Sequence, residues 1–283
     1  MFSTKCLDKP RVVIAGGGTA GWLTAAALSR KMGALLHITL VESSNIPTIG
    51  VGEATIPPLR VFHQLLGIDE AEFMRETSAT FKLGIEFSDF GNKNETYLHS
   101  FGQTGQSSWL AEFLHFWREG HERGFAGEYG SYCLELEAAK ANKFYTSAQS
   151  TPLNYAYHLD AGAYADYLKK LSLQSGVTHL VDHIESVSLD TSGDIHALNV
   201  AQHAPIEGDL FIDCTGFQSL LLGQHYNVPL KSQRHHLFNN AAVAVQVPYA
   251  DANDSIAATT RSTAQTNGWV WDIGLQNRRG VGH

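Results

Sequence analysis

Three glycines near the start of the chain directly follow the apolar run RVVIA, with the spacing Gly16-x-Gly18-x-x-Gly21. In such a series the first glycine allows a tight turn, the second lets the backbone approach a pyrophosphate, and the third lets a helix pack closely on a strand. The N-terminus of that helix supplies N–H donors and a positive dipole to the phosphates. The chemistry expected here is dinucleotide binding, through Gly16, Gly18, Thr19, Ala20 and Gly21.

An acidic residue stands where the second strand of such a unit would end. Glu42 follows Gly21 by 21 residues and closes the run HITLVE. A carboxylate at this position accepts hydrogen bonds from the ribose hydroxyls of an adenosine and disfavours a ribose 2′-phosphate. NADP is therefore not expected, and the choice lies between FAD and NAD.

The later segments favour FAD. Residues 43–59, SSNIPTIGVGEATIPPL, are too irregular in their glycines and prolines to form the next strand and helix of an NAD domain. Residues 208–217, GDLFIDCTGF, predict an apolar strand of the kind with which two-domain flavoproteins return to the nucleotide domain. Cys214 at its end is interpreted as a small residue that lets the backbone pass close to the cofactor, not as a nucleophile.

Alternating strands and helices must position these residues. The first unit is predicted to be a strand at 11–15, a helix at 19–32 and a strand at 37–42. A later helix near 162–174 carries four apolar residues on one face, namely Tyr164, Tyr167, Leu168 and Leu171. Strands are predicted after it near 177–181, 184–190 and 195–201, the last two joined at Ser192-Gly193. This order indicates an α/β fold with a Rossmann-like FAD-binding domain of the glutathione-reductase type.

We expect a single FAD-binding module over residues 1–283. Its FAD-binding parts are placed at about 8–60 and 156–225, and an associated β-rich, substrate-side region at about 75–155 and 230–283. The aromatic segment 107–124 predicts a helix, for which the core is favoured over a border of the substrate region. His235 and His236 are adjacent and are expected on opposite sides of a strand, which argues against a metal site.

Composition excludes several classes of protein. The chain is 43% apolar and 17% charged and carries a formal net charge of −8, which disfavours nucleic-acid and anionic-membrane binding. It contains no apolar run of the ~18 residues that a membrane span needs and no signal-peptide pattern. Cys6, Cys133 and Cys214 lie far apart, so neither a disulfide scaffold nor a cysteine metal site is expected. Together these observations predict a cytoplasmic location.

Six sequence blocks resemble the flavin-dependent tryptophan halogenases. They are GGGTAGW (16–22), IGVGEATIPPL (49–59), FKLGIEF (81–87), AYHLDAGAYADYL (156–168), DLFIDCTGF (209–217) and GWVWDIGLQNRRGVG (268–282). The first and fifth blocks are shared with many flavoproteins, whereas GVGEAT and the Trp-x-Trp block are much more specific.

The resemblance implies an enzyme that uses reduced FAD from a separate flavin reductase, with oxygen and a halide ion as co-substrates. The hypohalous acid that forms passes to a lysine and then halogenates a small aromatic substrate, here expected to be an indole or a tryptophan-like compound. By position this catalytic lysine is Lys82. Its neighbours Phe81, Leu83 and Ile85 are apolar, so partial burial should lower its pKa. The alternative is a solvated lysine on a strand whose apolar neighbours face inward.

The resemblance also assigns other residues to the site. Gly52, Glu53 and Ala54 belong to the loop 50–55, which is expected to cover the flavin ring, and Ile184 is assigned to the cofactor site. Glu53 can equally be structural, bonding loop amides.

Four aromatic residues complete the assignment. His99 and Phe101 are expected to stack on the substrate, although a strand with one aromatic residue in the core explains them as well. If residues 268–275 form a strand, Trp269 and Trp271 project to one face, near the flavin, and keep organic substrates away from it.

The chain departs from the family in two ways. Family members continue well past the Trp-x-Trp block, so the chain is expected to be an N-terminal fragment whose catalytic glutamate lies beyond residue 283. Gly274 also stands where the family has proline, which removes a constraint on φ. Two alternatives remain open: an FAD-dependent aromatic hydroxylase and a non-catalytic FAD-binding fragment. A homodimer is a further expectation.

Overall fold

The chain divides into two units, each built from two separate stretches of sequence. The computed structural model describes residues 9–46, 53–146, 153–251 and 254–283. The first unit comprises Met1–Gly50 and Ala161–Phe238, and the second comprises Val51–Asp160 and Asn239–His283. Strands and helices are numbered below along the whole chain.

A four-stranded parallel sheet forms the centre of the first unit. Its strands run in the order β12 (Leu210–Asp213), β1 (Arg11–Ala15), β2 (His37–Glu42) and β8 (Thr178–Val181). Helix α1 (Thr19–Met32) packs on β1, on β2 and on α6 (Ala161–Gln174). Residues 12–15 of β1 are buried, as expected for a parallel strand covered on both faces.

An antiparallel sheet of three strands belongs to the same unit. It contains β9 (Ile184–Leu189), β10 (Ile195–Val200) and the short β11 (Ile206–Glu207). Leu198 and Val200 of β10 share a buried cluster with Val13, Ala15 and Val41 of the parallel sheet, so the two sheets pack together. Burial of this apolar area is the main favourable contribution to the stability of the unit.

The predicted elements of this unit are confirmed. The helix between β1 and β2 has the predicted bounds, α6 begins one residue before its predicted start, and its four predicted apolar residues are all buried. The turn between β9 and β10 contains Gly193 with φ of 88°, a conformation that glycine adopts without strain.

The described residues of the second unit form two sheets. A six-stranded sheet runs β13 (Ala244–Val247), β16 (Arg279–Gly282), β15 (Gly268–Gly274), β14 (Thr259–Gln265), β5 (Gly84–Ser88) and β6 (Thr96–Ser100). A three-stranded antiparallel sheet has β7 (Ala156–Leu159) between β3 (Glu53–Ala54) and β4 (Thr80–Lys82). The α-helices in its described part are α2 (Pro58–Leu66), α3 (Glu70–Glu76), α4 (Phe113–Glu122) and α5 (Leu134–Lys140).

The prediction for the aromatic segment 107–124 was wrong in extent and in burial. Helix α4 covers only part of it, and Gly120 is its one buried residue. Leu114 and Phe116 of the helix are exposed, and Trp109 lies in the preceding loop with 95% of its surface exposed. Aromatic content shows how much apolar area a segment carries, but it does not show whether another element covers that area.

The placement of the adjacent histidines on a strand was also wrong. His235 and His236 lie in a turn. The N–H groups of His236 and Leu237 both donate to the carbonyl of Gln233 and so close this turn. The two imidazole centroids are 4.1 Å apart, because the alternation of a strand does not apply in a turn.

None of the described helices combines the length and the apolar character that crossing a membrane requires.

Candidate functional site

The glycine turn has the backbone that its spacing predicts. Gly16 adopts φ of 105°, and a β-carbon added there would overlap the carbonyl oxygen of Cys214. A β-carbon on Gly21 would overlap the carbonyl oxygen of Gly16, so the missing side chain lets α1 pack against the turn. Gly18 precedes the first residue of α1, and a β-carbon there would meet nothing within 4 Å. The turn therefore combines a tight bend with an open helix N-terminus, which fits a pyrophosphate.

Glu42 lies beside this turn, and its carboxylate has partners in the same unit. Lys169 Nζ donates to Glu42 Oε1 over 2.9 Å, and His179 Nε2 lies 2.7 Å from the same oxygen without hydrogen-bond alignment. The other carboxylate oxygen lies over Gly17, where no β-carbon could be accommodated. The predicted ribose acceptor is thus held at the glycine turn through Oε1.

The other residues assigned to this part of the site differ in their contacts. Thr19 is the first residue of α1 and donates its hydroxyl to the carbonyl of Ala161, whereas Ala20 is exposed. Ile184 begins β9 and packs against the buried cluster between the two sheets.

Asp213 is a polar residue that the sequence analysis did not single out. Its carboxylate accepts hydrogen bonds from Thr215 N–H and Oγ1 and from the N–H groups of Leu221 and Leu222. Burial alone would raise its pKa, but these bonds outweigh burial and hold the pKa below its ordinary value. Asp213 therefore fixes the segment after β12 next to the glycine turn. Its place at the end of the DLFID strand was the signal that could have identified it.

Lys82, in the second unit, is buried. It ends β4 with 2% of its surface exposed, and burial lowers its pKa to about 8. Lys82 Nζ donates to the carbonyl oxygen of Thr55 over 3.1 Å and lies 5.4 Å from the ring centroid of Phe101. The expected burial and lowered pKa of this lysine are confirmed, and the solvated alternative is wrong.

A buried hydrogen-bond chain starts two residues before Lys82. The Thr80 hydroxyl donates to the carbonyl of Gly274 over 2.6 Å, so its oxygen is left to accept from His158 Nδ1, 3.4 Å away. His158 Nε2 then accepts from the hydroxyl of Thr260 over 2.9 Å. His158 is fully buried, and burial, together with the charge of Lys82, lowers its pKa to about 3. A neutral imidazole thus ties β4 to β7, β14 and β15.

His158 was missed by the sequence analysis although it lies inside the quoted block AYHLDA. A polar residue within an otherwise apolar strand was the available signal, because a buried imidazole needs hydrogen-bond partners.

The loop assigned to the flavin ring is described only in part. Gly52 and the side chain of Glu53 lie outside the described residues. The backbone of Glu53 pairs with Leu159, and Ala54 pairs with His158 and is exposed. The end of this loop is therefore attached to the middle strand of the sheet that carries Lys82.

His99 and Phe101 differ in their surroundings. Phe101 is half-buried with its ring beside Lys82, whereas the side chain of His99 is exposed on β6. A β-carbon on Gly84 would overlap the carbonyl oxygen of His99. The glycine of FKLGIEF therefore allows the strand that bears His99 to approach β5 closely.

Trp269 and Trp271 lie on β15, as expected, and project to the same face. Trp269 is 39% exposed, and the indole of Trp271 lies directly over Gly282 of the neighbouring strand. Gly274 ends the strand buried, and its carbonyl is held by Thr80. Gly274 is thus fixed by packing and by a hydrogen bond.

Gly282→Ala should displace the indole of Trp271. The added β-carbon would overlap the six-membered ring, and overpacking of this kind costs about 1–3 kcal/mol. We expect a loss of stability in that range by urea unfolding and an altered near-UV circular dichroism spectrum. Gly127→Ala is the matched control, because its β-carbon would make only an ordinary contact with Ser131. In a Trp271→Leu background the penalty should shrink; an undiminished penalty would show that the indole is not the obstacle.

Comparison with known proteins agrees with these features. The sequence model of the tryptophan halogenase family matches residues 11–283. Tryptophan 7-halogenase RebH of Lentzea aerocolonigenes is 34% identical over 96% of this chain and 55% of its own length. Tryptophan 6-halogenase SttH of Streptomyces toxytricini is 35% identical over the whole of this chain and 58% of its own length.

Solved structures give the same result. Xcc4156, a flavin-dependent halogenase from Xanthomonas campestris, is 51% identical with a TM-score of 0.91 over 97% of this chain and 55% of that protein. BrvH, a flavin-dependent halogenase from Brevundimonas sp. BAL3, is 38% identical with a TM-score of 0.89 over 97% of this chain and 56% of that protein. The chain thus spans just over half the length of these relatives, and it belongs to the tryptophan halogenase family.

Proposed function

We propose that this chain carries the reduced-FAD site and the catalytic lysine of a flavin-dependent halogenase. The substrate would be a small aromatic compound, an indole or a tryptophan-like molecule. The observation that carries the proposal is Lys82, a buried amine with a lowered pKa beside an aromatic ring, in a chain of this family.

The first unit would hold FAD through its glycine turn. Gly16, Gly18 and Gly21 leave the space that a pyrophosphate needs, and the N-terminus of α1 supplies N–H donors. Glu42 would accept hydrogen bonds from the adenosine ribose through the oxygen that Lys169 does not occupy. Reduced FAD, delivered by a separate flavin reductase, would supply the electrons that oxygen needs to oxidise a halide ion to hypohalous acid.

The amine of Lys82 would receive the oxidised halogen. With a pKa of about 8, about one amine in ten is neutral at pH 7, compared with about one in three thousand for an ordinary lysine. The neutral nitrogen can accept a hydrogen bond from hypohalous acid or attack its halogen. In that attack an N–halogen bond forms, the O–halogen bond breaks, and the hydroxide leaves as water with the proton of the amine.

Transfer to the substrate then regenerates the lysine. The aromatic carbon takes the halogen from nitrogen, and the proton that the ring loses balances the N–H that the amine regains. Phe101 would position the ring of the substrate near the amine, because aromatic stacking adds about 1 kcal/mol to the burial of a ring. Trp269 and Trp271 would keep organic molecules away from the flavin.

Product analysis tests the proposal. The chain is supplied with a flavin reductase, FAD, oxygen, bromide and a panel of indoles, and the products are identified by mass spectrometry. We expect brominated indoles that require all of these components. Hydroxylated products would instead establish an aromatic monooxygenase. FAD binding without any product would identify a flavin-binding chain that does not turn over.

A further inference from the structure

We propose that Thr55 is the positioning residue of Lys82: its side chain completes the strand pairing with β7, and its carbonyl oxygen thereby holds the amine in place. The inference rests on the proposed function only for its consequence in catalysis. It concerns the last residue of loop 50–55, to which the sequence analysis gave no role of its own.

The hydroxyl of Thr55 takes the place of a backbone carbonyl in the pairing with β7, because it accepts the hydrogen bond of a strand N–H. Both Thr55 N–H and Thr55 Oγ1 donate to the carbonyl of Tyr157, each over 2.9 Å, and Thr55 Oγ1 accepts from Tyr157 N–H over 2.9 Å. All three bonds join one residue to one residue of the middle strand. The pairing of β3 with β7, which ends at Ala54, is therefore extended by a side chain.

This arrangement leaves the carbonyl oxygen of Thr55 available to Lys82. Lys82 lies on β4, on the other side of β7, where it pairs with Ala156. Ala156 is fully buried and small, so the lysine stem can pass it. Lys82 Nζ then lies 3.1 Å from the carbonyl oxygen of Thr55. The hydrogen bonds that hold Thr55 to β7 thus set the position of the acceptor that holds the amine.

The hydroxyl of Thr55 should therefore influence the amine without touching it. An acceptor for an ammonium N–H stabilises the charged form, and so it keeps the pKa of a buried lysine higher than burial alone would allow. If the carbonyl moves away, the ammonium loses this partner. The pKa of Lys82 should then fall further, and the amine should become less well oriented.

Thr55→Val tests this directly, because valine keeps the shape of the side chain and lacks the hydroxyl. The pKa of Lys82 is followed in the FAD-free chain by NMR of lysines labelled with carbon-13 at the ε position, assigned with Lys82→Met. We expect Thr55→Val to lower the pKa by about 1 and Thr55→Ser, which keeps the hydroxyl, to restore it. Thr77→Val is the matched control. Thr77 is buried in the same unit, and its hydroxyl donates to the carbonyl of Phe73 and not to a partner of Lys82.

An equal pKa in Thr55→Val and Thr77→Val would overturn the proposal, and so would a rise toward the ordinary value. A measurement on the unaltered chain covers the case in which the valine variant does not fold. The carbon-13 shift of the Thr55 carbonyl should titrate with the same midpoint as Lys82, and it should lose that titration in Lys82→Met. A carbonyl shift that stays flat through pH 8 would count against the proposal.

Failure of this inference can be separated from failure of the proposed function. Both NMR measurements need neither flavin nor turnover, so they report on Thr55 even if Lys82 takes no part in halogenation. In a halogenating chain, Thr55→Val should additionally lower kcat, whereas Thr55→Ser should restore it.

Discussion

Lys82→Met is expected to lower the rate of halogenation by about 10²- to 10⁴-fold. This is the range that a single proton-transfer or nucleophilic group contributes. Methionine is close to lysine in length and flexibility but has no amine to receive the halogen. Oxidation of reduced FAD should continue, because Lys82 is not among the residues proposed to hold the flavin. The measurements are the rate of product formation and the rate of oxygen consumption, made on the same samples.

Lys140→Met is the control for this prediction. Lys140 lies in the same unit but is exposed and paired with Glu137 on the surface of α5, so its replacement should leave both rates unchanged. Continued halogenation by Lys82→Met would falsify the assignment of the lysine, whereas loss of flavin oxidation as well would indicate damage to the cofactor site.

The same substitution should make the protein more stable at neutral pH. Burial lowers the pKa of Lys82 from its ordinary value of 10.5 to about 8, so a charged Lys82 costs the folded state about 3 kcal/mol. Methionine removes the buried charge and keeps the apolar stem. We expect the free energy of unfolding at pH 7 to rise by about 1–3 kcal/mol in Lys82→Met, measured by urea unfolding.

The difference in stability between the unaltered protein and Lys82→Met should depend on pH. Below pH 8 the amine is charged in both states and the full cost is present; above pH 10.5 it is neutral in both states and the cost is absent. Between these values the unfolded state binds more protons, so the stability of the unaltered protein should rise with pH relative to that of Lys82→Met. A variant that is less stable at pH 7, with an unchanged pH profile, would show that Lys82 does not carry a buried charge.

A gain in stability together with a loss of activity would support a functional reason for keeping this lysine. Buried charges without a counter-ion are costly, and they persist in proteins mainly where chemistry requires them. The Thr55 carbonyl and the Phe101 ring partly offset that cost without supplying a negative charge. Because both of these partners are neutral, burial still lowers the pKa of the amine.

The sequence by itself determined the local structure of the first unit. Three glycines, an alanine-rich helix and two β-branched runs predicted the strands and helices there because each signal is local: a positive φ at Gly16, a close approach at Gly21, and continuous burial along β1. The burial of Lys82 was expected from the family resemblance, but its apolar neighbours alone also fit a solvated lysine, because adjacent residues of a strand point to opposite faces.

Only the tertiary structure determined what surrounds Lys82. Thr55, Phe101, Ala156 and His158 are distant from it in sequence, and the pairing of β3 and β4 with β7 brings most of them to it. Sequence spacing describes the faces of one strand, whereas a site formed across three strands depends on their register. The burial of α4 was mispredicted for the same physical reason, since coverage by other elements is not a local property. The strand expected at His235 was wrong for a different reason, because bonds to the carbonyl of Gln233 close a local turn there.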